Sequence, residues 1–512
     1  MSDTNPNVAA LLPVLANRHG SRPALIEWRR GRRRETSFQE LAERVALLAG
    51  TYRARGLSPG DRMLVFIPMS TELYITLLAC WTLGITAVFL DAWADRRRLN
   101  LAVEAAAPRA FAGSPRAHLL RLLSPALRRI SLTFVASDAS RPSPHSVRPA
   151  DPQQLAPQHA ALVTLTTGST GPPRSLSRSH HHLRAQHRAL SRLFELTPED
   201  RDLPTLPIFA LNSLAAGIPV VLADVDHRRP AHLAASEWLR VMDAEQITTF
   251  GGSPATIAAV VSASRRRDRP LPLRRLFVGG APVDAHFARD VLAAGDFHGL
   301  AVYGSTEAEP IAAISLRELA ELDGEGVCVG RPVPEAVVRL LGDDTGEVSV
   351  SGEHVLAEPG EASACGPVLH DGDRVWRRIG DAARWDDAGR LWLLGRVGDC
   401  LRRDGKVWWP LPAEQRARAG GGVRAAVYIG LPQEGDSHGG TGHHGGVPLR
   451  AVLCVEPVPG LSPDLAELRR LLAPWPLDEV RIVPRIPRDP RHASKPDRAA
   501  LLERMKSSRG VT

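Results

Sequence analysis

Lysine is almost missing from this 512-residue chain. Of its 64 basic residues only Lys406, Lys495 and Lys506 are lysines, and the rest are arginines. So wholesale a replacement reflects a GC-rich genome more than a selected surface. Cysteine is scarce and scattered: Cys80, Cys328, Cys365, Cys400 and Cys454 form no CxxC pair. The odd count and the spacing argue against a disulfide framework, a metal cluster or a thiol-redox motif. Aromatic residues make up 5%. A nucleic-acid-binding face needs massed basic residues with aromatics between them, so the net charge of +8 does not imply a nucleic-acid partner. The arginine runs at 29–34, 96–98 and 265–267 read as solvated turn tips, and an acidic partner or anionic substrate stays open. Long apolar runs are lacking too. The greasiest stretch, 74–90, is broken by threonines and Gly84 and is too short to span a bilayer. It reads as a buried helix, a glycine stop and a strand at 85–90, so no transmembrane segment is expected. The first seven residues lack the basic-then-apolar pattern of a signal peptide, which makes the expected location cytoplasmic.

What is present is an α/β pattern. The length calls for at least two domains, and the apolar fraction of 44% is ordinary. Strand-like segments at 64–66, 85–90, 219–222, 247–250 and 276–279 alternate with helix-like ones at 72–82, 99–106, 231–244 and 254–263. This rhythm predicts a largely parallel sheet covered by helices. A proline-rich stretch at 141–158 reads as an exposed connection. Residues 337–392 become strand-rich, predicting a β subdomain, and the region after Gly395 reads as a small α+β unit. Its Gly/His loop at 438–446 lacks fixed metal-ligand geometry and reads as a surface loop.

One stretch stands out: Thr166-Thr167-Gly168-Ser169-Thr170-Gly171-Pro172-Pro173-Arg174. It follows an apolar, β-prone run and precedes a helix-like segment at 181–194. Glycines and hydroxyls between a strand and a helix expose donors that suit a polyphosphate, and Arg174 adds charge-assisted hydrogen bonds. The Walker spacing is absent. Taken alone, such a stretch is as well explained by a turn. Five further signatures follow in order: Gly279-Gly280-Ala281-Pro282, Tyr303-Gly304-Ser305-Thr306-Glu307, Gly380-Asp381, Gly395-Arg396 with Gly405, and Lys495. Each is modest by itself, and the ordered set is what carries information.

With these motifs the chain resembles the adenylate-forming superfamily of acyl- and aryl-CoA synthetases, nonribosomal peptide adenylation domains and luciferases, over nearly its whole length. The resemblance implies a large N-terminal domain of αβ-layered sheets plus a β subdomain, residues 1–394. A small mobile α+β lid domain, residues 395–512, follows, with ATP and Mg²⁺ bound at the junction. On that resemblance, the 166–174 loop holds the β- and γ-phosphates. Gly279, Gly280, Ala281 and Pro282 allow close backbone approach to the adenine and the acyl chain. Tyr303 stacks on the adenine, Gly304 and Ser305 beside it bind the nucleotide, and Thr306 bonds the α-phosphate. Glu307 holds Mg²⁺, which prefers oxygen ligands. Asp381 accepts from both ribose hydroxyls and Arg396 supports the same sugar. Lys495 bridges the substrate carboxylate and the α-phosphate, stabilising the transition state. Retention of lysine there, against the arginine background, fits a need for a compact ammonium.

Several strings look most like the bacterial olefin β-lactone synthetases: 84–91, 110–118, 202–211 with Phe209-Ala210-Leu211, Gly252-Ser253-Pro254-Ala255, and 328–333. That likeness implies that a 3-hydroxy fatty acid becomes an acyl-AMP, whose own hydroxyl displaces AMP. Departures from the superfamily pattern are Arg174 for a lysine, Thr167 for a serine, Ile379 for a threonine, Gly398 at the hinge and Trp408-Trp409-Pro410 beyond it. Alternatives are an acyl-CoA or acyl-carrier-protein ligase, and a degenerate homologue that binds without turnover. The small-molecule partner is a carboxylic acid, with pathway enzymes or an acyl carrier protein as further candidates.

Overall fold

The computed structural model describes residues 5–89, 96–136, 147–166, 174–226, 231–342, 344–356, 368–432, 449–489 and 494–507. Helix starts follow directly from serine. Ser37, Ser70, Ser114, Ser179 and Ser253 each sit in extended backbone, and each accepts a hydrogen bond from the amide three residues on. Each cap contributes about 1 kcal/mol.

A six-stranded sheet runs, in spatial order, through Leu132–Val135, Ala110–Gly113, Arg62–Phe66, Thr86–Phe89, Ala160–Thr166 and Arg174–Ser179. All its pairings are parallel except the last. Met63, Leu64 and Val65 are all buried, as expected where helices cover both faces of a parallel sheet.

The antiparallel last pair corrects the sequence reading of the phosphate loop. The residues at 174–179 form a strand, Thr166 pairs with Arg174, and the helix His180–Phe194 begins only afterwards. The stretch therefore joins two strands rather than a strand and a helix. Thr167, Gly168, Ser169, Thr170, Gly171, Pro172 and Pro173 lie outside the described residues.

A second sheet, of fourteen strands, contains Val220–Leu222, Asp202–Pro204, Thr249–Gly252, Arg275–Gly279 and His298–Ser305 side by side and parallel. It turns antiparallel at Ala308–Ser315 and continues through Val327–Pro332, Leu391–Arg396, Arg374–Trp385, Thr345–Ser351 and Val337–Leu341. The strand-rich region has its own core of Ile311, Val348, Val350, Ile379 and Leu393. It nevertheless hydrogen-bonds onto the parallel strands as one sheet.

The C-terminal domain is smaller. Val423–Pro432, Leu449–Pro457 and Glu479–Ile482 form its sheet. Alternate residues face opposite ways: Ala426 and Tyr428 pack with Ala413 and Leu468, whereas Val427 and Ile429 pack with Leu501 and Met505. Two other expectations change. Part of the proline-rich connection is packed rather than exposed: Ala150 is buried, and the Gln153 amide donates to the Thr82 carbonyl. Among the arginine runs, Arg30-Gly31 is a turn, but Arg32–Ser37 is a strand, and Arg96 and Arg265 lie in helices. The greasy stretch is the helix Thr71–Thr82 and the strand Thr86–Phe89. Among the described residues no helix is long and apolar enough to cross a membrane.

Candidate active site

Parallel strands leave a crevice at their carboxyl ends, and there most of the motif residues gather. Gly252 pairs with Val278, and Gly279 with Val302, so Ser253-Pro254, Gly280-Ala281-Pro282 and Tyr303 emerge on one edge. The glycines have reasons inside the sheet. A Cβ on Gly279 would lie 2.9 Å from the Val302 carbonyl oxygen, and Gly280 has φ +84°, a conformation that disfavours side chains. A Cβ on Gly304 would lie 3.0 Å from the Ala308 carbonyl. Strand packing thus gives Gly279 and Gly304 a structural reason of their own, beside the ligand approach that the sequence reading gave Gly279.

Tyr303 opens a hairpin whose tip is Ser305-Thr306-Glu307. Ser305 Oγ accepts from the Ala308 amide at 3.2 Å, and the Glu307 carbonyl accepts from Leu356 N at 2.9 Å. Tyr303 Oη donates to Asp381 Oδ2 at 2.8 Å. Arg396 Nε lies 3.1 Å from Asp381 Oδ1, across the register pair Asp381–Arg396. Arg396 Nη1 also reaches the Ile379 carbonyl at 2.9 Å. Three residues far apart in sequence thus form one cluster. The Asp381 side chain is 16% exposed, so its carboxylate is held yet still reaches solvent. Each oxygen accepts from one protein donor and retains acceptor capacity, which fits a vicinal diol.

Two residues of this region carry no sequence signal. Arg178, buried, donates from Nη1 to Thr164 Oγ1 at 2.8 Å and from Nη2 to the Thr306 carbonyl at 2.7 Å. It ties the strand leading into the Thr/Gly loop to the Tyr303 hairpin. Glu347, also buried, accepts from Arg378 Nε at 2.8 Å and from Gly380 N at 3.2 Å, fixing the turn (Gly380 φ +77°) that presents Asp381. In an arginine-rich chain neither looks different from its neighbours. Burial pushes His182 down to about 3, helped by Arg178, His354 and His181. Burial, with His159, pushes His180 down to about 4. Both are neutral at the start of their helix at pH 7, so they add no positive charge there.

Lys495 comes from the small domain. Its amide donates to Asp489 Oδ1 at 3.0 Å, and its carbonyl accepts from Asp489 N at 2.9 Å. Its neighbour Ser494 accepts through Oγ from the Ala255 amide at 3.1 Å. Ala255 stands at the start of the helix Pro254–Arg266, on the same edge as Gly280 and Tyr303, so the exposed Lys495 is presented there. Arg418 to Asp284 at 3.1 Å, Gly326 N to Gln415 Oε1 at 3.0 Å and Arg416 to Glu325 at 2.5 Å are further polar contacts between the domains. Gly398 lies in the short 3₁₀ turn Val397–Asp399. The glycine conformation is taken instead by Gly395, at φ +139°, where a Cβ would lie 2.6 Å from Pro410 Cγ. No group of three or more His, Cys, Asp or Glu side chains able to hold a metal occurs among the described residues. A lone carboxylate such as Glu307 is chemically compatible with Mg²⁺ that retains waters and phosphate oxygens.

A family profile described as AMP-binding enzyme matches residues 13–364. An olefin β-lactone synthetase of Stenotrophomonas maltophilia is 29% identical over 560 aligned positions, covering 97% of each chain. A feruloyl-CoA synthase of an Amycolatopsis species is 29% identical, covering 77% of this chain and 80% of its own. Among solved structures, the amide bond synthetase McbA of Marinactinospora thermotolerans superposes with a TM-score of 0.79 at 23% identity, over 96% of this chain and 99% of that one. O-succinylbenzoate coenzyme A synthetase of Bacillus subtilis, in complex with ATP and magnesium ion, has a TM-score of 0.76 at 19% identity, over 94% and 97%.

Proposed function

This chain belongs to the AMP-binding enzyme family and is an acyl-adenylate-forming ligase, and we propose that it activates a 3-hydroxy fatty or related carboxylic acid and then closes it to a β-lactone. ATP is the second substrate. One carboxylate oxygen attacks the α-phosphorus, and the bond to the bridging oxygen breaks with loss of pyrophosphate. The Tyr303–Asp381–Arg396 cluster holds the nucleoside, with Asp381 facing the ribose diol. Thr306 donates to the α-phosphate, Ser305 and Gly304 shape its loop, and the 166–174 loop takes the departing phosphates. Mg²⁺, when bound through Glu307, would neutralise phosphate charge. Lys495 sits between the two anions, offsetting their repulsion as negative charge builds in the transition state. We place the domain boundary at Gly395, where the positive φ allows the chain to leave the sheet.

The lactone step needs no further substrate. The 3-hydroxyl oxygen attacks the acyl carbon, the carbon–oxygen bond to AMP breaks, and the hydroxyl proton leaves to solvent. An attacking group within the same molecule gains the advantage of proximity. The observation that carries the reading is the convergence of Tyr303, Asp381, Arg396 and the Lys495 loop on one strand edge. The olefin β-lactone synthetase relatives support the choice of acceptor. The test is incubation with a 3-hydroxy acid, ATP and Mg²⁺ without any thiol. Lactone plus AMP is the expected product, and a strict requirement for coenzyme A or a carrier protein would overturn the lactone step.

A further inference from the structure

The helices His180–Phe194 and Pro207–Ala215 have apolar material on both sides. On one side Phe194 stacks on Phe277, with centroids 4.0 Å apart, and meets Phe209 edge-on at 5.8 Å. That space is filled by rings. On the other side lies a cavity of about 90 Å³ walled by the N-terminal Leu12 and Leu15, by Trp81 and by Leu211. An apolar cavity stays empty of water and takes apolar ligands.

Its wall is not wholly apolar. Gln186, His187 and Asn212 share the lining, and His187 Nδ1 lies 2.8 Å from Asn212 Oδ1. Gln186 and Asn212 are each 5% exposed. Gln186 Oε1 and Asn212 Nδ2 have no hydrogen-bond partner among the described residues. An unpaired acceptor and an unpaired donor are costly to bury, and a hydroxyl group, which both donates and accepts, satisfies the two kinds. The wall also reaches the candidate active site. Gln186 Nε2 donates to Glu309 Oε2 at 3.4 Å. Glu309 packs on the Tyr303 hairpin, where a Cβ on Gly304 would meet its Cβ and Cγ at 3.1 Å. Gln186 and Glu309 thus link the cavity wall to the Tyr303 hairpin.

We propose that this cavity receives a short segment of the acid's hydrocarbon chain, a few methylenes in a volume of about 90 Å³, and that Gln186 and Asn212 recognise an oxygen substituent on that segment. The inference rests on the proposed function and adds where the chain of its acid runs, under the N-terminal helix, and which side chains read its hydroxyl. The aromatic stack of Phe194, Phe209 and Phe277 closes the opposite route.

The test uses the full-length enzyme and a series of straight-chain 3-hydroxy acids with their unsubstituted parents. Pyrophosphate exchange is measured with ATP, and calorimetric binding of the free acids without it. Leu12→Phe and the milder Ala215→Leu fill the cavity. Each should raise KM for the longest acids about tenfold and leave the shortest acid unchanged, which serves as the internal control for folding. Gln186→Leu and Asn212→Leu should each cut the preference for the hydroxylated acid about tenfold. If a filled variant melting like wild type keeps the wild-type chain-length profile, the cavity assignment falls. If both leucine variants keep the hydroxyl preference, the polar assignment falls. Should no acid be adenylated, the calorimetric arm still decides: chain-length-dependent binding lost in the filled variants supports the cavity, and unaltered binding removes it. In that case the failure belongs to the proposed function alone.

Discussion

Tyr303, Asp381 and Arg396 lie on three strands of one hydrogen-bonded sheet and bond to one another. Lys495, by contrast, lies on a loop of a second domain, which meets that sheet through Leu411 on its core and through polar contacts at its edge. The first group is built before any ligand arrives, since strand register sets Asp381 against Arg396. The second depends on docking. Arg418–Asp284 is about a third exposed and Arg416–Glu325 about half, and exposed pairs contribute about 0–1 kcal/mol each. The Ser494–Ala255 hydrogen bond adds about 1 kcal/mol. We propose that a lysine on such a loop is presented and withdrawn, whereas the Tyr303–Asp381–Arg396 cluster cannot be dismantled without breaking the sheet. The difference teaches that affinity for nucleotide and rate of acyl transfer to it should be separable by mutation.

The sharpest way to break the comparison is Lys495→Ala. Carboxylate-dependent pyrophosphate exchange should fall about 10²–10³-fold while AMP binding, measured by calorimetry, stays within error. Unchanged exchange would remove Lys495 from its proposed role. Asp381→Asn acts on the other partner. Nucleotide affinity should drop about tenfold or more, because a charge-assisted acceptor is lost and Arg396 loses its counter-charge. Equal ATP and AMP affinities in mutant and wild type would detach Asp381 from the ribose. Ser494→Ala tests the docking itself. The exchange rate should fall about fivefold with KM for ATP unaltered, and Ser494→Thr should restore it. A loss in KM instead would mean that the contact shapes the Tyr303 cluster rather than presenting the lysine.

The smallest expected effect is on stability. His180 and His182 stay neutral when folded, but titrate near 6.5 in the unfolded chain. Below pH 6.5 the unfolded state therefore binds more protons, and stability falls as pH drops toward the folded values of about 4 and about 3. Asp202, raised to about 6 by burial, acts oppositely, losing stability as pH rises through 4 to 6. From pH 7 to 5 the two histidines outweigh the one aspartate, for a net loss of about 2 kcal/mol. Thermal melts at both values should show it, and His182→Gln should flatten the slope.

Much of this was legible from residues alone. The Tyr303 motif, Gly380-Asp381, Gly395-Arg396 and Lys495 are short and local, so their order survives in the sequence. The helices read at 72, 181 and 254 begin at Thr71, His180 and Pro254, though the serine that caps each was not read from the sequence. Arg178 and Glu347 were not legible, since nothing distinguishes a buried arginine or glutamate from a solvated one until the packing is known. The strand at 174–179 was missed for a similar reason. Arg-Ser-Leu-Ser-Arg-Ser has weak strand character by itself, and its partner at 160–166 supplies the hydrogen bonds that make it one.

By itself the sequence determined the alternation of strands and helices, the two-domain division and the chemical identity of the motif residues, all of which depend on neighbours within a few positions. Only the tertiary structure decided that Gly279 and Gly304 are small because backbone crosses them, that a cavity opens beneath the N-terminal helix beside Gln186, and that Ser494 rests on the Pro254 helix. Those outcomes depend on close packing between segments hundreds of residues apart, where distances of a few ångströms are set by the whole fold.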